Sequence, residues 1–336
     1  MFAMKRVPSW RFGFLNKFAL CGVVGTAAAM APVVGVAADQ PFPWKPLRII
    51  VPFPAGGSYD VVARVVAQRM QLGQNVLVDD RPGGGTVIGV EMAARAPGDG
   101  HTLLATGPSF VTLHALRSNL PFDTDKDFKP VGLAIELPMV WAVNLSLPAK
   151  NMKEYIALAR ARPGAISYGT AGAGTIHNML GEALKLAAKV DITHVPFPGE
   201  PPAVTAAVGG HVTGVLVNIT STAPFINAGK LRGLAVTSAT RDTLIPEVPT
   251  AREAGAPEIE ATNWNGYFVP AATPSAAITR LNVELNRVLN IPEVRDNLRA
   301  QGLRAAPGSA EQFAALLKAE GARYGKIIKE ANIKID

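Results

Sequence analysis

Cysteine is all but missing. The one cysteine among 336 residues, Cys21, lies in an apolar N-terminal stretch, so the rest of the chain can neither close a disulfide nor use thiolate chemistry. Lipid attachment at Cys21 is not expected either, because Phe18-Ala19-Leu20 lacks the small residue expected before a lipidated cysteine. No glycine-lysine-serine or glycine-lysine-threonine phosphate loop occurs. His101, His114, His177, His194 and His211 are scattered without metal-ligand spacing. Asp123, Asp125 and Asp127 begin like a calcium loop. Phe128 stands where that loop needs glycine and Ala134 where it needs glutamate, so the three read as a solvated turn. Neither a cofactor nor a metal is expected. Internal repeats and low-complexity tracts are also absent.

What the first 38 residues lack is acid. Lys5, Arg6, Arg11 and Lys17 form a positive region, an apolar stretch runs from Phe18 to about Val36, and Gly35-Val36-Ala37-Ala38 ends it in small residues. That is the layout of a secretory signal peptide cleaved near Ala38. A retained anchor is the rival reading, weakened by Gly22, Gly25, Pro32 and Gly35; no twin-arginine pair is present. The full chain carries 33 basic and 26 acidic residues, net +7; without the leader it keeps 29 and 26, net +3. The basic balance therefore owes much to the leader and is no nucleic-acid footprint. Export to the periplasm is expected.

From Leu47 onward, strand and helix patterns alternate. Leu47–Phe53 reads as a strand, Ser58–Gln71 as a helix, 75–78 as a strand, Thr86–Arg95 as a helix and Thr102–Ala105 as a strand. A second such region starts near Pro148, with helices at 151–162, 175–188 and around 202–208 and strands at 165–168, 192–195, 212–217 and 231–237. Asn263 to Val269 reads as a crossover back to the first region, and helices at 275–289, 293–301 and 309–331 close the chain. The βαβ pattern calls for mainly parallel sheets flanked by helices. The expected fold is α/β and two-lobed: lobe 1 from 39–147 and 263–336, lobe 2 from 148–262, with the ligand between them.

Each lobe holds one strand–glycine–helix element. In the first, Ile49-Ile50-Val51-Pro52-Phe53 leads through Pro54-Ala55-Gly56-Gly57 to Ser58; in the second, Ser167-Tyr168-Gly169-Thr170 leads through Ala171-Gly172-Ala173-Gly174 to Thr175. Such turns aim unpaired helix N–H groups at an anion. Gly56-Gly57-Ser58-Tyr59-Asp60 lacks the last glycine of a nucleophile elbow, so Ser58 reads as an N-cap or ligand contact. Gly172-Ala173-Gly174 lacks the third glycine of a dinucleotide fingerprint. Asp60 suits the first helical turn on dipole grounds and could also reach a ligand. His177 either faces the cleft or packs beside it, and Trp264 either lines a pocket or is a buried hinge tryptophan.

Several ordered motifs carry a family resemblance. These are Ile50-Val51-Pro52-Phe53-Pro54-Ala55-Gly56-Gly57 with Asp60 and Ala63-Arg64, Arg81-Pro82-Gly83-Gly84-Gly85 with Ile88-Gly89, and Asp99-Gly100-His101-Thr102-Leu103-Leu104. Tyr168-Gly169-Thr170-Ala171-Gly172 with His177 and Glu182, His194-Val195-Pro196-Phe197, Leu231 to Ser238, Val248-Pro249-Thr250 and Glu253-Ala254-Gly255 complete them. Together they resemble the Bug family, the TctC-like extracytoplasmic solute receptors of tripartite tricarboxylate transporters. The resemblance covers about Trp44 to Ile333. It implies a two-lobed periplasmic binding fold, type II-like, that closes on a carboxylate. The implied contacts are Ala55, Gly56, Gly57 and Ser58 in one lobe and Thr170, Ala171, Gly172, Gly174 and Thr175 in the other. Thr106 and Ser109 join them on topology. Departures occur at His101 (usually tyrosine), Pro198-Gly199-Glu200 (often Lys-Gly after the phenylalanine) and Thr213 (usually aspartate), so ligand identity does not carry over.

The sequence thus points to a monomeric, non-enzymatic receptor for a small carboxylate-bearing metabolite, working with the membrane components of a tripartite tricarboxylate-type transporter and not with nucleic acid. Two alternatives stand beside it: a ligand sensor docking on a signalling partner, and a serine hydrolase using Ser58 or Ser109.

Overall fold

The computed structural model describes residues 41–334; the expected signal peptide lies outside them. Two βαβαβ units build the frame. The first is β1 (Leu47–Val51), α1 (Ser58–Arg69), β2 (Val76–Asp80), α2 (Val87–Ala94) and β3 (Thr102–Thr106). After α3 (Ser109–Leu116) comes β4 (Phe128–Asn144), then α4 (Met152–Ala161). The second unit is β5 (Ser167–Thr170), α5 (Ile176–Ala188), β6 (Thr193–Pro196), α6 (Glu200–Val208) and β7 (Gly214–Asn218), followed by α7 (Ile219–Asn227) and β8 (Leu231–Val236). The chain ends with β9 (Thr262–Pro270), α8 (Ser275–Leu289), α9 (Pro292–Ala300), β10 (Arg304–Ala305) and α10 (Ala310–Glu330).

β1 pairs in parallel with β2 and β3, and β5 pairs in parallel with β6 and β7. The two units therefore share one strand order, 2-1-3 and 6-5-7, with the central strand leading into a glycine loop and a helix. Burial explains the residue choice. Alternation along β1 sends Leu47, Ile49 and Val51 to one core and Ile50 to another, while all five residues of β7 are buried. On α5, Ile176, Met179, Leu180, Ala183 and Leu184 recur at helical spacing and pack with Trp141, Tyr155 and Tyr168.

Between the units runs β4, which the sequence reading passed over. Phe128–Pro138 pairs antiparallel with β9, and Met139–Asn144 pairs with β7 on one edge and β8 on the other. β4 and β9 thus join the two parallel halves into one ten-stranded sheet, an eight-strand path with β8 and β10 paired to β4 beside it. α10 braces both halves: Phe313 packs with Trp264 and Phe268, while Tyr324, Ile327 and Ile328 pack with the α5 core. A serine-capped start with Gln312 closing the reciprocal pair fixes where α10 begins.

Candidate functional site

The first glycine loop follows β1 at the carboxyl end of its strand, where doubly wound sheets bind ligands. Ala55, Gly56 and Gly57 are exposed. Gly56 takes φ +80°, and its N–H donates 2.7 Å to Asp60 Oδ2. Asp60 also pairs with Arg64 at 2.6 Å. Burial pushes the Asp60 carboxyl up, but the Gly56 amide and Arg64 outweigh it and hold it below the usual range. Asp60 is therefore used within the protein, holding its own loop. Ser58 is also relocated. Gly57 has the extended backbone of the N-cap and Ser58 is the first helical residue, so Ser58 does not cap α1. No acceptor among the described residues takes the amides of Ala55, Ser58, Tyr59 or Asp60.

The second loop, after β5, is tied more tightly. Thr170 is the last residue of β5 and fully buried; its Oγ1 lies 2.6 Å from His194 Nε2 and accepts from the Gly172 N–H at 3.3 Å. The Gly174 N–H donates to Asn178 Oδ1 at 3.1 Å. The two glycine amides expected to face an anion are thus spent inside the loop, because Thr170 and Asn178 reach them first. The amides left without a protein acceptor among the described residues belong to Ala171, Ala173, Thr175, Ile176 and His177. Thr175 is the N-cap of α5: its Oγ1 accepts from Asn178 N at 3.4 Å and donates to the Gly172 carbonyl at 2.7 Å.

What joins the loops is a chain of carboxamides that the sequence did not disclose. The Tyr59 phenol, on the second residue of α1, donates to Asn263 Oδ1 at 3.2 Å. Asn263 Nδ2 donates to Asn218 Oδ1 at 3.3 Å, and His177 Nε2 lies 3.4 Å from the same oxygen. Asn218 Nδ2 donates to Glu200 Oε1 at 2.6 Å, while the Ser221 hydroxyl donates to Glu200 Oε2. Apart from Asn263, on β9, these residues stand at the starts of α1, α5, α6 and α7, so four positive helix ends converge on one polar chain. His177 is buried in it; burial pushes its imidazole below the usual range, although Glu200 opposes this. One sequence signal could have found Asn218: it ends β7 as Thr106 ends β3, the position by which Thr106 and Ser109 were nominated.

Three further nominees fall as follows. Thr106 is fully buried and paired opposite Gly266, and its hydroxyl has no partner among the described residues. Ser109 opens α3, half-buried. The Trp264 ring faces away from the loops. It is fully buried against Phe313 and Phe268, and its indole N–H donates to Glu320 at 2.8 Å. The reason is alternation along β9, which sends Asn263 to the polar chain and Trp264 to the core. Cavities of about 530 and 500 Å³ open elsewhere, against α5 and α10 and between α3 and α10, and no nominated residue lines either.

The model of the tripartite tricarboxylate transporter family receptor matches residues 62–333, and the chain belongs to that family. BugT of Bordetella pertussis is 33% identical over 326 residues, covering 96% of this chain and 100% of the relative. A Rhodopseudomonas palustris protein solved with adipate is 31% identical with a TM-score of 0.76, over 88% of this chain and 100% of its own. MatC from Rhodopseudomonas palustris, solved with bound malate, is 31% identical with a TM-score of 0.72, over 85% and 100%. Both the α/β periplasmic-binding architecture and the Bug-family resemblance are borne out. The family and fold are those of solute-binding receptors.

Proposed function

We propose that this chain is a periplasmic receptor that closes two lobes on a small carboxylate and delivers it to the membrane components of a tripartite tricarboxylate-type transporter. The carrying observation is the convergence of helix starts on the Tyr59–Asn263–Asn218–His177 chain, with free amides at both loops. Backbone N–H groups at helix N-termini hold carboxylates without a side-chain cation. In this reading the Ala55 and Ser58 amides, held in place by Gly56 and Gly57 between them, and the Ala171, Thr175 and His177 amides take the anion. Thr170, Gly172, Gly174 and Asp60 shape the loops, and Thr106 and Ser109 border the site. Lobe 1 centres on β1, lobe 2 on β5, and β4 and β9 are the hinge. The adipate and malate of the two structural neighbours support the ligand class.

Thermal-shift screening of mono- and dicarboxylates, aromatic acids and acidic amino acids tests the reading. A ligand at ~100 times its dissociation constant stabilises by about 2.7 kcal/mol. Small-angle scattering with that ligand should then show a smaller radius of gyration, and intact mass of periplasmic protein should show a start near Asp39. No shift with any acid overturns the receptor reading; a full-length mass in the membrane pellet overturns the location.

A further inference from the structure

We propose that Glu200 makes this receptor select a monocarboxylate with a hydrogen-bond donor at its far end, an ammonium or hydroxyl group, over the dicarboxylate of the same length. The inference rests on the carboxylate-receptor reading above and names the ligand within it. Glu200 is the first residue of α6, followed by Pro201 and Pro202, which fix the backbone behind it. Its side chain is 18% exposed. Asn218 Nδ2 holds one carboxylate oxygen at 2.6 Å and the Ser221 hydroxyl holds the other, while His177 Nε2 stands 3.8 Å away. A protein carboxylate therefore sits within the ring of groups that joins the two loops.

Nothing in that ring neutralises it. The two side chains bonded to Glu200 are an asparagine and a serine, and the next ones along are Asn263 and Tyr59. Burial holds the neighbouring imidazole of His177 toward its neutral form. Arg64, on α1, is engaged with Asp60 and Asp80. The start of α6 favours a negative charge at Glu200, so the fold itself stations the carboxylate here.

The chemistry of the ligand follows from counting. The five free amides of the second loop suit one carboxylate. A carboxylate side chain offers about four acceptor positions, and protein donors fill two of those on Glu200. The remainder accept from an ammonium or hydroxyl group. A second ligand carboxylate reaching the Asn218–Asn263 chain meets the like charge of Glu200 with no cation beside it, which disfavours it. The adipate and malate of the structural neighbours are dicarboxylates, so Glu200 would set this chain apart from them.

Titration calorimetry on the exported protein at neutral pH decides the matter. The probes are succinate, glutarate and adipate with the ω-hydroxy and ω-amino acids of the same lengths. At the preferred length the wild type should bind the ω-hydroxy or ω-amino acid at least about tenfold tighter than the dicarboxylate. Glu200→Gln should raise dicarboxylate affinity and lower that of the ω-amino acid, each by about tenfold, whereas Glu200→Asp, which keeps the charge, should preserve the wild-type order. Circular dichroism establishes that each variant is folded. A wild type that prefers the dicarboxylate overturns the inference whatever the variants do. So does a folded Glu200→Gln protein with an unchanged ratio; acid binding in that case leaves the receptor reading standing. If no acid in the panel binds any form, both readings fall together.

Discussion

The Tyr59 phenol reaches Asn263 Oδ1 at 3.2 Å, across 204 positions of sequence. Gly107 makes this possible. A Cβ at residue 107 would lie 2.1 Å from the phenol oxygen and 2.8 Å from the Trp264 carbonyl oxygen, so no side chain fits beneath the ring. Phe53 stacks on the other part of Tyr59, with centroids 4.1 Å apart and planes 11° from parallel. α1 is thereby tied to the crossover strand β9 and, through Asn218, to the second βαβαβ unit.

Tyr59→Phe should remove one hydrogen bond and keep the ring. The expected loss is about 1 kcal/mol of stability and roughly a fivefold loss of carboxylate affinity. Gly107→Ala should cost more, because backbone at Trp264 cannot yield and the phenol must move. The double variant should lose much less than the two single losses together, since both act on one contact. Urea unfolding and calorimetry on the three proteins provide the cycle. Additive losses would show that Gly107 and Tyr59 act independently.

Glu320 gives the stability a pH dependence of unusual sign. It is 8% exposed on α10 and accepts from the Trp264 indole. Burial pushes its carboxyl up to about 7, against the opposing pull of Trp264 and Arg323. The folded form therefore binds a proton more tightly than the unfolded chain, whose glutamate titrates near 4.5. The contribution of Glu320 is fullest below about pH 4.5 and is lost as pH rises through about 7, on the order of 3 kcal/mol in all. Glu320→Gln should lack this component. The difference between wild-type and variant urea midpoints, followed from pH 5 to 8 by circular dichroism, should narrow or reverse with rising pH; a constant difference contradicts the assignment.

The two strand–glycine–helix frames were legible because Leu47–Val51 and the faces of α1 and α5 carry strong periodic patterns. β4 was not: Pro130, Gly132 and Pro138 interrupt its apolar run and read locally as loop, although antiparallel partners on both edges hold it extended. α3 and α7 are short, and Pro224 lies inside α7. The loops were legible as anion turns, but which amides stay free depends on Thr170 and Asn178, a tertiary matter. Glu200, Asn218 and Asn263 were silent for the same reason: their types are ordinary and only the fold brings them together. His101, noted as a departure, packs with Phe42 and Trp44 and accepts from the Trp44 amide, a structural place far from the loops.

Thr175 and Gly172 separate the cap from the backbone shape in the second loop. Thr175→Ala removes the α5 cap and the bond to the Gly172 carbonyl, and should lower stability by about 1 kcal/mol. Gly172 is different. A Cβ there would meet Phe197 and Thr175 only at 3.7 Å, so space is not the obstacle. Its φ of +139° is, and Gly172→Ala should cost roughly 1–3 kcal/mol as the loop strains or relaxes to another shape. Because Gly172 donates to Thr170, a relaxed loop also frees the wrong amide and misaims those of Ala171 and Ala173. Gly172→Ala should therefore weaken carboxylate binding more than Thr175→Ala. Replacing the ligand carboxylate by its neutral amide should cost the wild type about 10- to 150-fold in affinity, the loss of charge-assisted bonds worth roughly 1.5–3 kcal/mol. In Gly172→Ala that discrimination between acid and amide should shrink, since the donors no longer converge on the anion. A folded Gly172→Ala protein that separates acid from amide as sharply as the wild type would move the anion grip to the first loop.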